Sequence, residues 1–246
     1  MTPLRAHPAR RGGSARGFAF DLDRTLVAVD RAPSRLARAT IQEARSTGLS
    51  VILVSGRTLS ALSPFVSALG PLEAVVAENG AVIEVPWGGR REVIGGGVAR
   101  QVRRRLEPIS ALEVEHGEVV VSGRWTDRRT IAGYLSGLDI HIVRNRDRLM
   151  VLPTGVTKAS GLELALRHLR IPEHSFAAIG DGENDIPMLR AAAVSGAVAN
   201  AIPAVKALVD YVAHEPFERG VQEFLQGPVT RWASVDSSGR RSASRS

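Results

Sequence analysis

The chain has 246 residues, of which 44% are hydrophobic and 4% aromatic, with no cysteine and a formal net charge of +7. This length suffices for one sizeable core or for a core with a small second domain. The absence of cysteine excludes disulfides, thiolate metal sites and cysteine nucleophiles. The low aromatic content disfavours a stacking surface for single-stranded nucleic acid.

The positive charge lies at the two ends of the sequence. Four arginines within residues 1–17 and a net charge of +3 in residues 228–246 account for the whole +7. The rest of the chain is formally neutral, so a basic face for specific nucleic-acid binding is not indicated. We interpret residues 1–16 and 228–246 as disordered basic tails. No apolar run approaches the roughly 18 residues of a membrane span, so we expect a cytoplasmic protein without a membrane partner.

Strand-like and helix-like segments alternate through the first third of the chain. Apolar runs predict buried strands at Phe18–Phe20, Val51–Val54 and Ala74–Ala77, and helical spacing predicts helices over residues 34–47 and Ser60–Leu69. Gly48 is placed to end the first of these helices. Such alternation is typical of a parallel sheet that is covered on both faces.

This alternation of strands and helices stops after Ile83 and resumes later in the chain. The block between is predicted to hold helices at Val98–Leu106 and Asp127–Leu135 and strands at Glu118–Val121, His141–Val143 and Leu149–Leu152. Beyond it, helices are predicted at Ala159–Leu169, Asp185–Ala192 and Pro203–Leu208, and strands at Phe176–Ile179 and Val194–Val198. We therefore predict an α/β fold, a Rossmann-like doubly wound parallel sheet of residues 17–84 and 152–227, with a small α+β domain inserted at residues 85–151.

Two of the predicted strands end in acidic residues. The strand ending at Phe20 runs into the sequence DLDRT, and the strand ending at Ile179 runs into GDGEND. In open α/β sheets ligands bind beyond the carboxyl ends of strands, and carboxylate oxygens are the ligands that Mg²⁺ prefers. Each cluster alone is also explained as a solvated loop or a helix cap. Because there are two, we expect four acids to converge on one metal ion: Asp21, Asp23, Asp181 and Asp185.

Two further polar residues suit phosphate binding. Ser55 ends a predicted strand beside a glycine, where a hydroxyl can donate to a phosphate oxygen, although a turn serine explains it as well. Lys158 and Lys206 are the only lysines in a chain that otherwise uses arginine. A lysine at position 158, where arginine would be usual for this chain, indicates a need for a compact ammonium group. Such a group can reach the carboxylates and neutralise the phosphate. A surface helix lysine, which we assume for Lys206, is the alternative.

Together these motifs resemble those of the haloacid dehalogenase (HAD) superfamily. DLDRT is similar to its first motif, Asp-x-Asp-x-Thr, Ser55 to the second, Lys158 to the third and GDGEND to the fourth, in the same order. The insert between Ser55 and Lys158 resembles the type II (C2) cap of the Cof-like IIB branch, and its small size resembles archaeal-type phosphoglycolate phosphatases. The family has glycine where this chain has Arg24, a departure at a position that favours glycine's conformational freedom.

The resemblance implies a Mg²⁺-dependent phosphatase. In this family's reaction Asp21 attacks phosphorus and forms an aspartyl-phosphate, while Asp23 protonates the leaving alcohol and then activates water. The ion is held by Asp21, Asp181 and Asp185 together with the backbone carbonyl of Asp23. The residues that the resemblance places on phosphate are Thr25, Ser55, Asn79, Lys158 and Asn200.

The substrate is expected to be a small phosphate ester, with phosphoglycolate as the first candidate. A sugar-phosphate phosphatase and a phosphomutase of the same superfamily are the alternatives. From another class, the chain could be a non-catalytic or nucleic-acid-binding protein that acts through its basic tails. Residues of the inserted domain that could meet an anionic substrate, with a plain surface role as the favoured alternative, are Arg124, Trp125, Arg128, Arg129 and Arg144.

Overall fold

The computed structural model describes residues 15–29, 31–86, 88–109 and 111–233. The tails predicted at residues 1–16 and 228–246 therefore lie largely outside the described residues. The strands of the larger sheet are β1 (Gly17–Phe20), β2 (Ser50–Val54), β3 (Ala74–Ala77), β4 (Val82–Val85), β5 (Arg90–Val93), β10 (Phe176–Gly180), β11 (Val194–Ala197) and β12 (Tyr211–Val212). Those of the smaller sheet are β6 (Glu115–His116), β7 (Val121–Arg124), β8 (Ile140–Asn145) and β9 (Arg148–Pro153).

Eight α-helices connect these strands within the described residues. They are α1 (Arg35–Ser46), α2 (Leu59–Leu69), α3 (Gly96–Leu106), α4 (Arg128–Tyr134), α5 (Lys158–His168), α6 (Ile186–Ala191), α7 (Pro203–Leu208) and α8 (Phe217–Phe224). The side chain of Ser34 caps α1 by accepting from a backbone N–H, and Gly48 follows its end with a φ of +85°, as predicted. None of the helices described is both long enough and apolar enough to span a bilayer.

The larger sheet has the strand order β12-β11-β10-β1-β2-β3-β4-β5. Its first six strands run parallel, and β4 and β5 add to the edge as an antiparallel hairpin. The predicted doubly wound parallel sheet with an inserted domain is confirmed. The central position of β1 follows from its sequence, since all four of its residues are apolar or glycine and all are buried.

Helices cover both faces of this sheet. Phe18 and Phe20 project from one face of β1, where the ring of Phe18 lies 6.4 Å from that of Phe224 in α8. On the opposite face a Cβ at Gly17 would lie 3.7 Å from the side chain of Leu166 in α5. Alternate residues of a strand point to opposite sides, so β1 is packed between α8 and α5. The site described below lies at the carboxyl ends of β1 and β10.

The inserted domain, called the cap below, has its own antiparallel sheet and its own core. The sheet order is β6-β7-β9-β8. Val102 and Leu106 of α3 pack with Ile131 of α4 and with Val121 and Leu149 of the sheet. Because this apolar cluster is separate from the main core, the cap is a second hydrophobic unit on the larger domain.

Three boundaries differ from the sequence prediction. β5 was included in the predicted insert at residues 85–151 but pairs with β4 in the larger sheet. A strand was predicted at Glu118–Val121, yet residues 118–120 form the turn between β6 and β7. A π-helical segment, Leu225–Val229, continues to residue 233, and Trp232 is 8% exposed. The packed chain therefore extends past the predicted limit at residue 227.

Candidate active site

Three carboxylates meet where the central strands end. β1 and β10 are parallel neighbours with Phe20 opposite Ile179, so the residues that follow both strands emerge at the same edge. One oxygen from each of Asp21, Asp181 and Asp185 lies within 4.8 Å of the others. Their exposed fractions are 5%, 3% and 0%. The structure thus brings together three of the four acids that the sequence placed on a metal ion.

Lys158 lies among these carboxylates and is 1% exposed. Its Nζ donates to Oδ1 of Asp21 at 2.5 Å and to Oδ1 of Asp185 at 2.6 Å. The lysine is the first residue of α5, and the Thr157 side chain caps that helix, which fixes where the lysine emerges. Burial alone lowers the pKa of Lys158, but the two carboxylates outweigh burial, so its pKa lies above the ordinary value and the ammonium stays charged.

Burial raises the pKa of the Asp21 carboxyl well above its ordinary value, against the opposing effect of Lys158 and with the support of the neighbouring carboxylates. Burial also raises the pKa of Asp181, where Asp185 adds to the shift and Arg146 opposes it. Like charges this close disfavour ionisation of one another. The negative charge of the cluster is therefore incompletely compensated by the protein alone.

Asp23 lies outside this group of three and pairs with Arg57. The Arg57 Nε donates to Oδ2 of Asp23 at 2.7 Å and its Nη2 to Oδ1 at 2.5 Å. The guanidinium also lies over the ring of Phe65, 4.8 Å from its centroid. This bidentate pair fixes the direction of the Asp23 carboxylate. The sequence predicts no role for Arg57, and its one signal is its place two residues after Ser55.

Thr25 and Ser55, both predicted to bind phosphate, are fully buried beside the carboxylates. Thr25 Oγ1 donates to Oδ1 of Asp181 at 3.1 Å, so it orients that carboxylate. Ser55 Oγ accepts from the backbone N–H of Arg57 at 3.2 Å. A contact of either hydroxyl with phosphate stays a prediction.

Asn79 and Asn200 were also expected to bind phosphate, and both amides contact protein groups. Asn79 Nδ2 donates to the Met150 sulfur, and its Oδ1 accepts from Asn184 at 2.9 Å. Asn200 Nδ2 donates to the carbonyl of Arg24 at 2.6 Å, and its Oδ1 accepts from the first backbone N–H of α8 at 3.2 Å. Asn200 therefore joins the loop after β1 to α8, and its contact with phosphate stays a prediction.

A cavity of about 670 Å³ opens above the carboxylates, between the larger domain and the cap. Asp21, Asp23 and Asp181 line it from below. Its cap wall comes from β6, β7 and the turn between them and from the hairpin of β8 and β9. It consists of Glu115, His116, Gly117, Val120, Ser122, Asn145, Arg146, Asp147, Arg148 and Met150. A cavity of this size suits a small metabolite.

The cap arginines that the sequence offered for an anionic substrate do not line this cavity. They are Arg124, Arg128, Arg129 and Arg144. Arg128 and Arg144 instead lie over the ring of Trp125, each 5.0 Å from its centroid. Arg146 and Arg148 line the cavity in their place, and the sequence analysis missed both. The only signal was their position in the turn between two predicted cap strands.

Comparison with known proteins decides the family. The profile of the family described as haloacid dehalogenase-like hydrolase matches residues 18–89 and 133–225, more than half of the chain. The chain belongs to the haloacid dehalogenase-like hydrolase family.

Two relatives of this hydrolase and one solved structure illustrate the likeness. A phosphoglycolate phosphatase of Methanothrix thermoacetophila is 32% identical over 221 residues, which cover 84% of this chain and 94% of the relative. A phosphoglycolate phosphatase of Methanospirillum hungatei is 28% identical over 221 residues, which cover 86% of this chain and 95% of the relative. The fold is shared with a HAD subclass IIB sugar phosphatase, at a TM-score of 0.65 and 21% identity, covering 86% and 98% of the two chains. The resemblance to the haloacid dehalogenase superfamily is confirmed, and this hydrolase is a phosphatase.

The donor set of this hydrolase suits a hard divalent cation. Asp21, Asp181 and Asp185 offer only oxygen, which is what Mg²⁺ prefers. Lys158 and Arg146 set two positive charges against these three carboxylates, which leaves a formal charge of −1 on side chains that are almost fully buried. Two backbone N–H groups donate to Oδ2 of Asp185 at 2.9 Å and fix its orientation. The residues therefore fit the ion that the family implies.

Arg24 has the backbone conformation expected of the glycine found there in the family. Its φ is +64°, in the left-handed region that a side chain disfavours. The loop holds it there, since its N–H donates to the carbonyl of Val27 at 2.7 Å and its own carbonyl accepts from Asn200. The loop of this hydrolase thus keeps a glycine-like backbone and carries backbone strain at Arg24.

Glu78 ties the cap of this hydrolase to the larger domain. Its carboxylate accepts the backbone N–H groups of Glu118, Val119 and Val120 at 2.9, 2.8 and 2.9 Å. The side chain is 2% exposed, and a Cβ at Gly117 would come within 2.6 Å of its carboxylate oxygen. Glycine at position 117 therefore admits the carboxylate into the turn between β6 and β7. The sequence gives no signal for this contact beyond the position of Glu78 directly after β3.

Proposed function

We propose that this phosphatase hydrolyses phosphoglycolate in a Mg²⁺-dependent reaction in which Asp21 is the nucleophile. The observation that carries the proposal is a buried Asp21 at the base of the cavity, held by Lys158 at 2.5 Å beside Asp181 and Asp185. The choice of substrate is supported by the relatives, since both are phosphoglycolate phosphatases that align with more than four fifths of the chain.

The first step forms an aspartyl-phosphate on Asp21. Lys158 holds Oδ1 of Asp21, which directs Oδ2 to phosphorus in line with the leaving oxygen. The ester bond to that oxygen breaks as the bond to Asp21 forms, and Asp23 gives the leaving alcohol its proton. Asp23 carries a proton for this transfer, so one of its two hydrogen bonds from Arg57 opens and the other keeps the carboxyl beside the cavity.

The second step hydrolyses the aspartyl-phosphate. Asp23, now ionised, takes a proton from the water that attacks phosphorus, and Asp21 leaves as a carboxylate. The ammonium of Lys158 stays charged throughout and stabilises the charge on the transferring group. When bound by Asp21, Asp181 and Asp185, Mg²⁺ supplies positive charge that offsets repulsion between carboxylate and phosphate.

Phosphate release from a panel of esters tests the proposal. The panel contains phosphoglycolate, hexose phosphates and phosphoglycerates, each with Mg²⁺ and with a chelator. We expect phosphoglycolate to be hydrolysed with the highest kcat/KM, and turnover to stop with the chelator and in Asp21→Asn. If the enzyme prefers a hexose phosphate, the proposed substrate is wrong and the proposed phosphatase reaction still stands. Undiminished turnover in Asp21→Asn would refute the mechanism, and an exchange of phosphate within one sugar without release would indicate a mutase.

A further inference from the structure

Arg146 lies at the tip of the turn between β8 and β9, with its backbone held on both sides. Its φ is +57°, and its N–H donates to the Glu183 carboxylate of the larger domain at 3.1 Å. Its carbonyl accepts from Nε of Arg144 at 2.7 Å, and the carbonyl of Asp147 accepts from the N–H of Trp125 at 2.8 Å. The turn is therefore braced from the cap and from the larger domain, and this bracing sends the Arg146 side chain into the cavity.

The guanidinium of Arg146 is only partly satisfied by the protein. Its Nη2 donates to Oδ2 of Asp181 and, at 3.4 Å, to the carbonyl of Asn200. Its Nε is buried and has no acceptor among the residues that the structure describes. Buried donors in proteins are nearly always paired, so an unpaired Nε–H in an arginine that lines the cavity shows a guanidinium that protein groups satisfy only in part, and a ligand in the cavity can supply a further acceptor.

The position of this donor restricts what the ligand is. Asp181 belongs to the same cluster as the nucleophile Asp21, so a group bound by Arg146 lies next to the reacting phosphate, on the cap side. The planar fork of a guanidinium matches a carboxylate with two parallel hydrogen bonds. Arg148, the other cap arginine of the cavity, is already compensated by Glu115 at 2.9 Å and by Ser122 at 3.1 Å. Of the two cap arginines that line the cavity, Arg146 is therefore the one with a buried N–H that the described residues leave unpaired.

We infer that Arg146 is the specificity-determining residue of this phosphatase, which binds a carboxylate carried on the substrate one or two carbons from its phosphate. This inference rests on the proposed phosphatase reaction at Asp21 and adds to it the substrate class, short phosphorylated carboxylic acids. The carboxylate accepts from the guanidinium N–H groups that the described residues leave unpaired and shares the guanidinium with Asp181. Phosphorylated alcohols of the same length lack this contact and bind without it.

The test compares two substrates across Arg146 variants. One is phosphoglycolate, and the other is 2-hydroxyethyl phosphate, in which a hydroxymethyl group replaces the carboxylate. In Arg146→Gln we expect kcat/KM for phosphoglycolate to fall on the order of 100-fold, mostly through KM, because a charge-assisted pair is lost. For 2-hydroxyethyl phosphate we expect only the part of this loss that comes from the contact with Asp181, so the ratio of the two kcat/KM values should fall by at least about tenfold. Arg146→Lys keeps the positive charge but loses the planar guanidinium, so its kcat/KM for phosphoglycolate should lie between those of wild type and Arg146→Gln.

The uncharged ester also serves as the internal control. Because Arg146 touches Asp181, its loss could disturb folding or metal binding, and either effect would reduce turnover of both substrates alike. Equal losses on both substrates would therefore overturn the inference, as would a wild-type enzyme that does not distinguish them. Arg128→Gln changes a cap arginine that does not line the cavity and should keep the wild-type preference. If wild type hydrolyses neither ester, the proposed function itself fails, a result distinct from a lost preference.

Discussion

The contact between Glu78 and the cap offers the sharpest structural test. Glu78→Gln keeps the size of the side chain and replaces one carboxylate oxygen by an NH₂ group. In the native structure Oε1 accepts from Glu118, and Oε2 accepts from Val119 and Val120. A glutamine can place its oxygen on two of these N–H groups at most, and its NH₂ then faces the third.

The magnitude follows from these three hydrogen bonds. Leaving one buried donor unpaired costs about 2 kcal/mol, and exchanging a charged for a neutral acceptor weakens each of the other two bonds by about 1 kcal/mol. The cap contact is thus weakened by roughly 4 kcal/mol, which corresponds to an increase on the order of 1000-fold in opening of the turn. The larger domain keeps its own core, so we expect the cap to open locally and the whole chain to stay folded.

Hydrogen exchange measures this opening directly. We expect the amides of residues 118–120 to exchange faster by two to three orders of magnitude in Glu78→Gln, while those of β10 keep their protection. Glu73→Gln is the matched control. Glu73 is a partly buried carboxylate of the larger domain that accepts from Val51 at 2.7 Å and pairs with Arg45 at 3.1 Å. Glu73→Gln should leave the hydrogen-exchange rates of residues 118–120 unchanged.

Two results would refute this reasoning. Unchanged protection at residues 118–120 in Glu78→Gln would mean that the carboxylate does not hold the turn in solution. An equal increase in exchange over the cap and the larger domain would mean that Glu78 supports the whole fold. With activity as a second readout, an open cap should raise KM for phosphoglycolate, because the cap wall forms part of the cavity.

Three further predictions concern the loop after β1 and the carboxylate cluster. Arg24→Gly should raise the free energy of unfolding by about 1 kcal/mol in denaturant titration, because glycine adopts a φ of +64° without strain. The thermal stabilisation given by Mg²⁺ should be larger near pH 7.5 than near pH 5.5, because burial raises the pKa of Asp21 and Asp181 and protons then compete with the ion at the lower pH. Lys158→Met should destabilise the protein by about 3 kcal/mol at neutral pH, because it leaves two buried carboxylates without their cation.

The sign of the pH effect can be checked without metal. A carboxyl whose pKa is raised by folding contributes stability that is fully present at acid pH and is lost as the pH rises through the raised pKa. The metal-free protein should therefore lose this contribution on going from acid to neutral pH, and Mg²⁺ should restore stability there. A Mg²⁺ shift that is as large at pH 5.5 as at pH 7.5 would contradict the raised pKa of Asp21 and Asp181.

Matched variants separate local effects from general ones. Lys206→Met removes the only other lysine of the chain, which carries no hydrogen bond to the cluster, and should leave stability within about 0.5 kcal/mol of wild type. Equal effects of Lys158→Met and Lys206→Met would show that the buried ion pairs contribute little. A destabilised Arg24→Gly would show that the arginine side chain, and not the backbone strain, dominates at that position.

The parts of the site that the sequence predicts are those fixed by strand order. Asp21 and Asp181 follow apolar runs that can only be buried strands, and parallel neighbours bring both acids to one edge. The scarcity of lysine in this arginine-rich chain marks Lys158 as a candidate site residue. The direction of the Asp23 side chain was not predictable, because it depends on Arg57, which reaches it across 34 residues of sequence.

The parts that the sequence misses depend on how the cap docks. The predicted strand Glu118–Val121 contains three consecutive valines, yet residues 118–120 form a turn whose N–H groups donate to Glu78, 40 residues before Glu118. Arg146 and Arg148 could not be told from other arginines of an arginine-rich chain, since only the three-dimensional placement of their turn puts them into the cavity. Pattern rules describe local periodicity and carry no information on contacts between domains.

Trapping the covalent intermediate tests the central proposal most directly. Asp23→Asn removes the base of the second step, and p-nitrophenyl phosphate has a leaving group that needs no protonation, so the aspartyl-phosphate should accumulate. Borohydride reduces an acyl phosphate to an alcohol, and peptide mass spectrometry then locates the reduced residue. Our account predicts homoserine at position 21, formed only with substrate and Mg²⁺. Reduction at another residue, or none while phosphate is still released, would contradict Asp21 as the nucleophile.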